Sequence, residues 1–285
     1  ILRLWVAQSD YTVDLRIGKE ILKGVADSYR RLRNTLRFML GALSDFDPSK
    51  AVDPADMPEL ERLMLHRLAE LDAQVRKGYA AYDFQGVFQS LFTFATTDLS
   101  AFYFDIRKDA LYCDPADGAV RQACLTVMDA LFHRLTTWLA PILPFTMEDV
   151  WLSRFPSETD SVHLHDIPAT PASWLNPELA ARAAKVRAVR RVVTGALEVE
   201  RRNKTIGASL EAAPVVHLSP DLAALIPDAD TFATLCITSG LTLTIGPVPE
   251  GAFTMEDVPG VAVVFARAEG AKCQRCWKIL PDVGT

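Results

Sequence analysis

EILKGVADSYRRLRNTLRFMLGAL, residues 20–43, sets Ile21, Val25, Tyr29, Leu32, Leu36, Met39 and Leu43 three or four positions apart. A helix turning once per ~3.6 residues gathers all seven onto one stripe, so the stretch is predicted to be a long helix with one core face. Arg30, Arg33, Asn34 and Arg37 fall on the opposite face, in water or against a partner. A chain that opens on such a stripe is built from packed helices, and its neighbours repeat the pattern.

Downstream, Asp56 followed by Glu59 has the spacing of a capping box, and Leu60, Leu63, Met64, Leu68, Leu71 and Val75 continue at helical spacing. A third helix is expected from near Asp83. It is dense in Phe84, Phe88, Phe92, Phe94, Phe102, Tyr103 and Phe104 and is therefore buried on more than one side. A fourth runs from about Ala119 to Leu139, where Pro141 and Pro144 stop it. After a short helix near Thr146–Trp151 comes a proline-broken loop. Asn176 and Pro177 then open a long helix reaching about Asn203. Beyond Gly207 the period changes: 212–218, 241–245 and 261–268 are short β-branched runs, with helical pieces near Asp221 and Asp230. The fold class is mainly α, a helical bundle followed by a small α+β domain.

The chain has 285 residues, 49% hydrophobic and 23% charged, with a formal net charge of −6. This excludes a disordered or low-complexity chain. No apolar run approaches the ~20 residues of a membrane span and no cationic-then-apolar leader opens the chain, so a soluble cytosolic protein with no membrane partner is expected. Global acidity gives no attraction to polyanions, so DNA is not an expected partner, but the charge is polarised. Between Glu178 and Lys204 eight Lys/Arg face three Glu, and between Arg267 and Lys278 four face one. From Asp45 to Glu61, in contrast, one Lys stands against six acids. Starting at Ile1 and ending nine residues past Cys276, the chain reads as a fragment of something longer.

No phosphate loop, nucleophile elbow or paired-histidine motif is present, and no catalytic residue is assigned. His163 and His165, in the proline-flanked loop, are expected to be structural or solvent-exposed rather than metal ligands. Cys113, Cys124 and Cys236 read as packing residues, the first in a turn between helices. Cys273 and Cys276 form a C-x-x-C pair whose turn can direct two thiolates at one Zn²⁺, half of a four-ligand structural site. A thioredoxin-like redox pair is the alternative; it needs a helix starting at Cys273, for which Pro281 and Gly284 leave little room. Around the pair, Lys272, Arg275 and Trp277 combine a stacking surface with cations, a combination suited to unpaired nucleotides.

Several runs are long enough to carry a resemblance. Ile1–Ala7 (ILRLWVA) with Ser9-Asp10-Tyr11, Asp14–Ile17 (DLRI), Tyr29–Phe38 (YRRLRNTLRF), Leu139–Thr146 (LAPILPFT), Ser161–Leu164, Lys204–Ala212 (KTIGASLEA) and Lys272–Trp277 (KCQRCW) resemble the bacterial isoleucyl-tRNA synthetase family, downstream of its catalytic core. The resemblance implies an anticodon-binding bundle of the class I synthetase kind (residues 1–175), then a long basic helix with a small α+β junction domain (176–265), and a truncated zinc-binding module (266–285). It implies an isoleucine tRNA as partner, a monomeric ligase, and ATP and Mg²⁺ used only in a catalytic core absent from these residues. Arg16 then corresponds to a residue approaching the anticodon stem-loop, unless it pairs with Asp10 or Asp14. Trp277 belongs to the module meeting the anticodon, or covers the zinc cysteines. Arg30, Arg33 and Arg37 either contact phosphate or form salt bridges inside the bundle, and the salt bridges are the expected reading. Two other classes stand beside this reading: a zinc or redox protein using Cys273 and Cys276 on a helical scaffold, and a helical interaction module.

Overall fold

A computed structural model describes residues 1–246 and 248–284. The chain is mainly α and divides into two compact units, residues 1–176 and 177–285.

The first unit is a bundle of seven helices: α1 (Leu2–Gln8), α2 (Lys19–Ala42), α3 (Glu59–Ala80), α4 (Phe84–Thr93), α5 (Phe104–Cys113), α6 (Ala119–Leu139) and α7 (Pro144–Arg154). The stripe on α2 is buried at Val25, Leu32, Leu36, Met39 and the following Leu43, while its first member, Ile21, stays exposed. The middle of the bundle is α6, which packs against α2, α3, α5 and α7 and buries residues on every side, Phe132 and Trp138 completely. A helix that buries residues on every side belongs in the centre, because more than one neighbour must cover it.

Three local expectations are corrected. The Asp56–Glu59 capping box does not form. Pro54 starts a short 3₁₀ turn, Pro54–Asp56, which Asp53 caps through the Ala55 N–H at 2.8 Å. The chain is then extended at Met57 and Pro58, and α3 starts without a side-chain cap. The aromatic helix is not one α-helix but α4 and α5 joined by a π-helical stretch, Phe94–Tyr103. Hydroxyls along it bond back to carbonyls of the preceding turn: Ser100 donates to Ala95 O at 2.9 Å and Thr96 to Phe92 O at 2.7 Å. Cys113 is the last residue of α5 rather than part of a turn.

The proline-broken stretch after α7 is tied onto the bundle by arginines. Arg134 donates to Ala169 O at 2.8 Å and lies 4.6 Å from the centroid of the Trp174 ring, and Arg76 donates to Pro168 O at 2.9 Å. His163 and His165 are exposed there. His165 meets Asp160 at 2.8 Å and packs on Trp151, and His163 reaches the Pro144 carbonyl.

In the second unit α8 (Pro177–Arg202) lays Val189, Val192, Val193, Ala196 and Leu197 on a three-stranded sheet. The strands are β1 (Val215–Leu218), β2 (Thr242–Ile245) and β3 (Val261–Val264), in the order β2-β1-β3, with β1 parallel to β2 and antiparallel to β3. The parallel pair requires a crossover, supplied by α9 (Pro220–Ala223) and α10 (Ala229–Cys236). The expected strand from Ala212 starts only at Val215, because Pro214 has no N–H for a ladder, and the strand expected to reach Ala268 stops at Val264. Cys236 and Phe232 of α10 are buried in this core.

Candidate nucleic-acid interface

The last described residues fold into a second, two-stranded sheet that the sequence pattern did not reveal. β4 (Ala271–Lys272) pairs antiparallel with β5 (Ile279–Leu280). Six residues turn between them, closed by Cys273 N–H to Lys278 O at 2.8 Å and Trp277 N–H to Cys273 O at 3.0 Å. Trp277 takes a left-handed φ of 64° to make the turn. Gly270, at φ 115°, lies where a side chain would run into the Leu280 carbonyl.

This tight turn aims backbone donors at sulfur. Arg275 N–H points to Cys273 Sγ at 3.4 Å, and the N–H groups of Cys276 and then Arg275 hold the Cys273 thiol below the ordinary cysteine range. Donors arranged to favour a thiolate fit a metal-binding turn. The pair supplies two of the four ligands of a tetrahedral zinc site, and among the described residues no group of three His, Cys, Asp or Glu side chains could hold a metal ion. The thioredoxin-like alternative is corrected: no helix starts at Cys273, and the chain turns back into β5.

Trp277 is 63% exposed, and the Lys272 ammonium sits 5.6 Å from its ring centroid. Both line a cleft of about 240 Å³ with Leu210, Glu211, Arg267 and Ile279. Arg267 donates to the Thr205 carbonyl, and Glu211 accepts from the Gly207 N–H at 3.2 Å, so both side chains brace the loop after α8. An indole wall with a cation at its face and apolar sides can receive a planar base. Arg275 is exposed at the tip of the turn and does not line the cleft. Arg267 and Glu211, read in the sequence only as charges, join the group because the chain passing from β3 toward β4 runs beside the 3₁₀ turn Ser209–Glu211. No local spacing announces that.

Arg16 lies in the irregular segment before α2, and every residue from Asp10 to Glu20 is exposed. The pairing with Asp10 does not form: that carboxylate accepts from the Thr12 hydroxyl at 2.6 Å and the Thr12 N–H at 2.9 Å, which together hold it below the usual carboxylate range. Among the described residues Arg16 makes no ion pair. The salt bridges expected on α2 form at one of the three arginines. Arg30 pairs with Asp27 one turn back on the same exposed face, at 3.0 Å, and Arg33 and Arg37 form no salt bridge with a described carboxylate. The charge on α8 is partly consumed, since Arg190 donates to the Leu235 carbonyl, Arg191 pairs with Asp257 and Arg201 with Glu198.

Residues 61–217 match the family described as the anticodon-binding domain of tRNA ligase. Over its whole length the chain is 66% identical to an isoleucine–tRNA ligase of Ruegeria pomeroyi, 54% to one of Brucella abortus and 53% to one of Agrobacterium fabrum. It spans 29% of the length of each of these relatives.

Proposed function

The chain belongs to the family of tRNA-ligase anticodon-binding domains, and from that premise we propose that it is the tRNA-recognition part of an isoleucine–tRNA ligase. The observation that carries the reading is identity of 66% along the entire chain to such a ligase. In this reading residues 1–175 are the anticodon-binding bundle, 176–265 the basic helix and junction domain, and 266–285 the first half of a zinc module. The partner is an isoleucine tRNA, and the ligase works as a cytosolic monomer. Joining isoleucine to tRNA at the expense of ATP, with Mg²⁺, belongs to the rest of the polypeptide, and no catalytic step falls on these residues.

What these residues do follows from the chemistry of an RNA hairpin. Its loop bares unpaired bases, which aromatic rings can stack on and polar groups can read, while Arg and Lys hold the phosphates. Trp277 with Lys272 offers the stacking surface, Arg275 at the turn tip and Arg16 on its exposed segment offer phosphate contacts, and neither the Trp277 ring nor Arg16 is buried. Cys273 and Cys276 would hold Zn²⁺ as two of its thiolates, and the ion would stiffen the turn that presents Trp277. The acidic balance of the whole chain limits indiscriminate RNA binding.

The test uses the full-length polypeptide. Affinity for an isoleucine tRNA transcript is compared with that for the same transcript carrying a changed anticodon, across a salt series. Binding should weaken with the altered anticodon, and log affinity should fall by roughly 0.7 per log unit of salt for each single-stranded phosphate neutralised. Equal affinity for both transcripts overturns the proposal.

A further inference from the structure

The cleft beside Trp277 has two walls that come from distant parts of the chain. Leu210 and Glu211 belong to the 3₁₀ turn after α8, whereas Lys272, Trp277 and Ile279 belong to the hairpin of β4 and β5. A side chain that does not line the cleft bonds to both walls. Ser239 Oγ accepts the Ile279 N–H at 2.7 Å and donates to the Leu210 carbonyl. A hydroxyl carries one donor and two acceptor positions, so a serine serves both walls at once and an alanine neither. The hairpin's entry is already attached to the first wall, by the Ala268 N–H to Glu211 O at 2.9 Å. On that point alone it would pivot, and the second point, at β5, stops it.

Ser239 reaches this place through a strained turn. α10 ends at Cys236, and Ile237 follows with φ 58° and ψ 49°, a left-handed conformation that a β-branched residue adopts only under constraint. Glycine would make the same turn without that cost. Thr238 is then buried and folded back, its N–H donating to Ala233 O at 3.0 Å, and the Ser239 N–H donates to Ala212 O at 3.2 Å. Strain of this kind persists where the surrounding structure over-determines it, and what the turn delivers here is a hydroxyl facing the hairpin. We propose that Ser239 is a positioning residue for RNA recognition: it sets the gap between the Leu210 wall and the Trp277 wall, and so holds the indole where a base can stack. Ser239 touches no base and acts through Trp277. This rests on the tRNA-recognition reading above.

The experiment uses the full-length polypeptide and compares wild type with S239A, S239T, W277A and S239A/W277A. Affinity is measured for an isoleucine tRNA transcript and for the same transcript with a changed anticodon, and hydrogen exchange is followed by mass spectrometry over residues 271–280. S239A should bind the unaltered transcript about 3- to 10-fold more weakly, the equivalent of one net hydrogen bond, and should exchange faster over the hairpin with its thermal melting unchanged. S239T, which keeps the hydroxyl, should restore both to within about twofold of wild type. In the W277A background the serine change should alter affinity by less than about twofold, because a residue acting through the indole has nothing left to position. Wild-type affinity in S239A, or an equal loss with and without Trp277, overturns the positioning role and leaves the tRNA reading intact. Unchanged exchange in S239A overturns the link between the walls in the same way. If wild type itself does not distinguish the two transcripts, the tRNA reading fails first and the role of Ser239 in RNA recognition goes with it.

Discussion

Replacing Glu61 by glutamine should cost the first unit more than any surface change. Glu61 is 0% exposed, in the first turn of α3, where the helix dipole favours an anion. It accepts two parallel bonds from Arg107 of α5, Nε and Nη2 both at 2.7 Å, and a third from the Tyr103 hydroxyl at 3.2 Å. Arg107 has a side chain only 12% exposed, so in the glutamine variant it keeps its charge and loses the matching one. Breaking a buried pair from one side costs about 3–5 kcal/mol, and the narrow opening at Arg107 to water favours the lower end. For a unit of this size each kcal/mol moves the midpoint by ~2–4 °C, so E61Q should melt about 6–12 °C lower. Tryptophan fluorescence is a suitable probe, because Trp5, Trp138, Trp151 and Trp174 all lie in the first unit. The paired replacement E61L/R107M removes both charges and should recover most of the loss. A destabilisation by E61Q below about 1 kcal/mol would refute the reasoning, since no desolvated, mutually dependent pair loses so little.

Acid sensitivity should come in part from Asp129. Burial pushes its carboxyl up, but hydrogen bonds from His133 and from Arg154, the latter at 2.6 Å, outweigh this and leave it below the ordinary range. A depressed carboxylate contributes stability above its unfolded value of ~4 and loses it as pH falls through the folded value. D129N should therefore be less stable than wild type at pH 7, by about 1–2 kcal/mol for a partly exposed pair, with the gap closing below pH ~4 in urea titrations. Native alkylation with iodoacetamide should label Cys273 first, and leave Cys124 and Cys236, pushed up to about 12 by burial, untouched until the chain unfolds. Peptide mapping checks this, and protection of Cys273 by added Zn²⁺ is the expected sign of metal binding. G270A should unpair β4 and β5, because it adds a side chain at positive φ against the Leu280 carbonyl, at a local cost on the order of 1–3 kcal/mol. Hydrogen exchange at the Cys273 N–H should speed up while the bundle's melting is unchanged.

Period and punctuation alone determined where most helices and strands lie. The stripe of α2, the extent of α6 ending before Pro141, the start of α8 at Pro177 and the three β-branched runs beyond Gly207 all depend on contacts within a few residues, which a sequence states directly. The cysteine spacing and the neighbouring Lys272 and Trp277 were legible for the same reason. Only the tertiary structure distinguished Glu59 from Glu61, two acids two positions apart. The second is wholly buried, because the approach of α5, 46 residues away, decides which one meets Arg107. The same holds for Arg37, whose lack of a described carboxylate partner, and whose closeness to Tyr112, depend on how α2 and α5 pack. It holds also for Arg267 and Glu211 beside Trp277. Local interactions choose the elements, but partners for charges are set by chain closure over long separations, and no window of sequence contains that information.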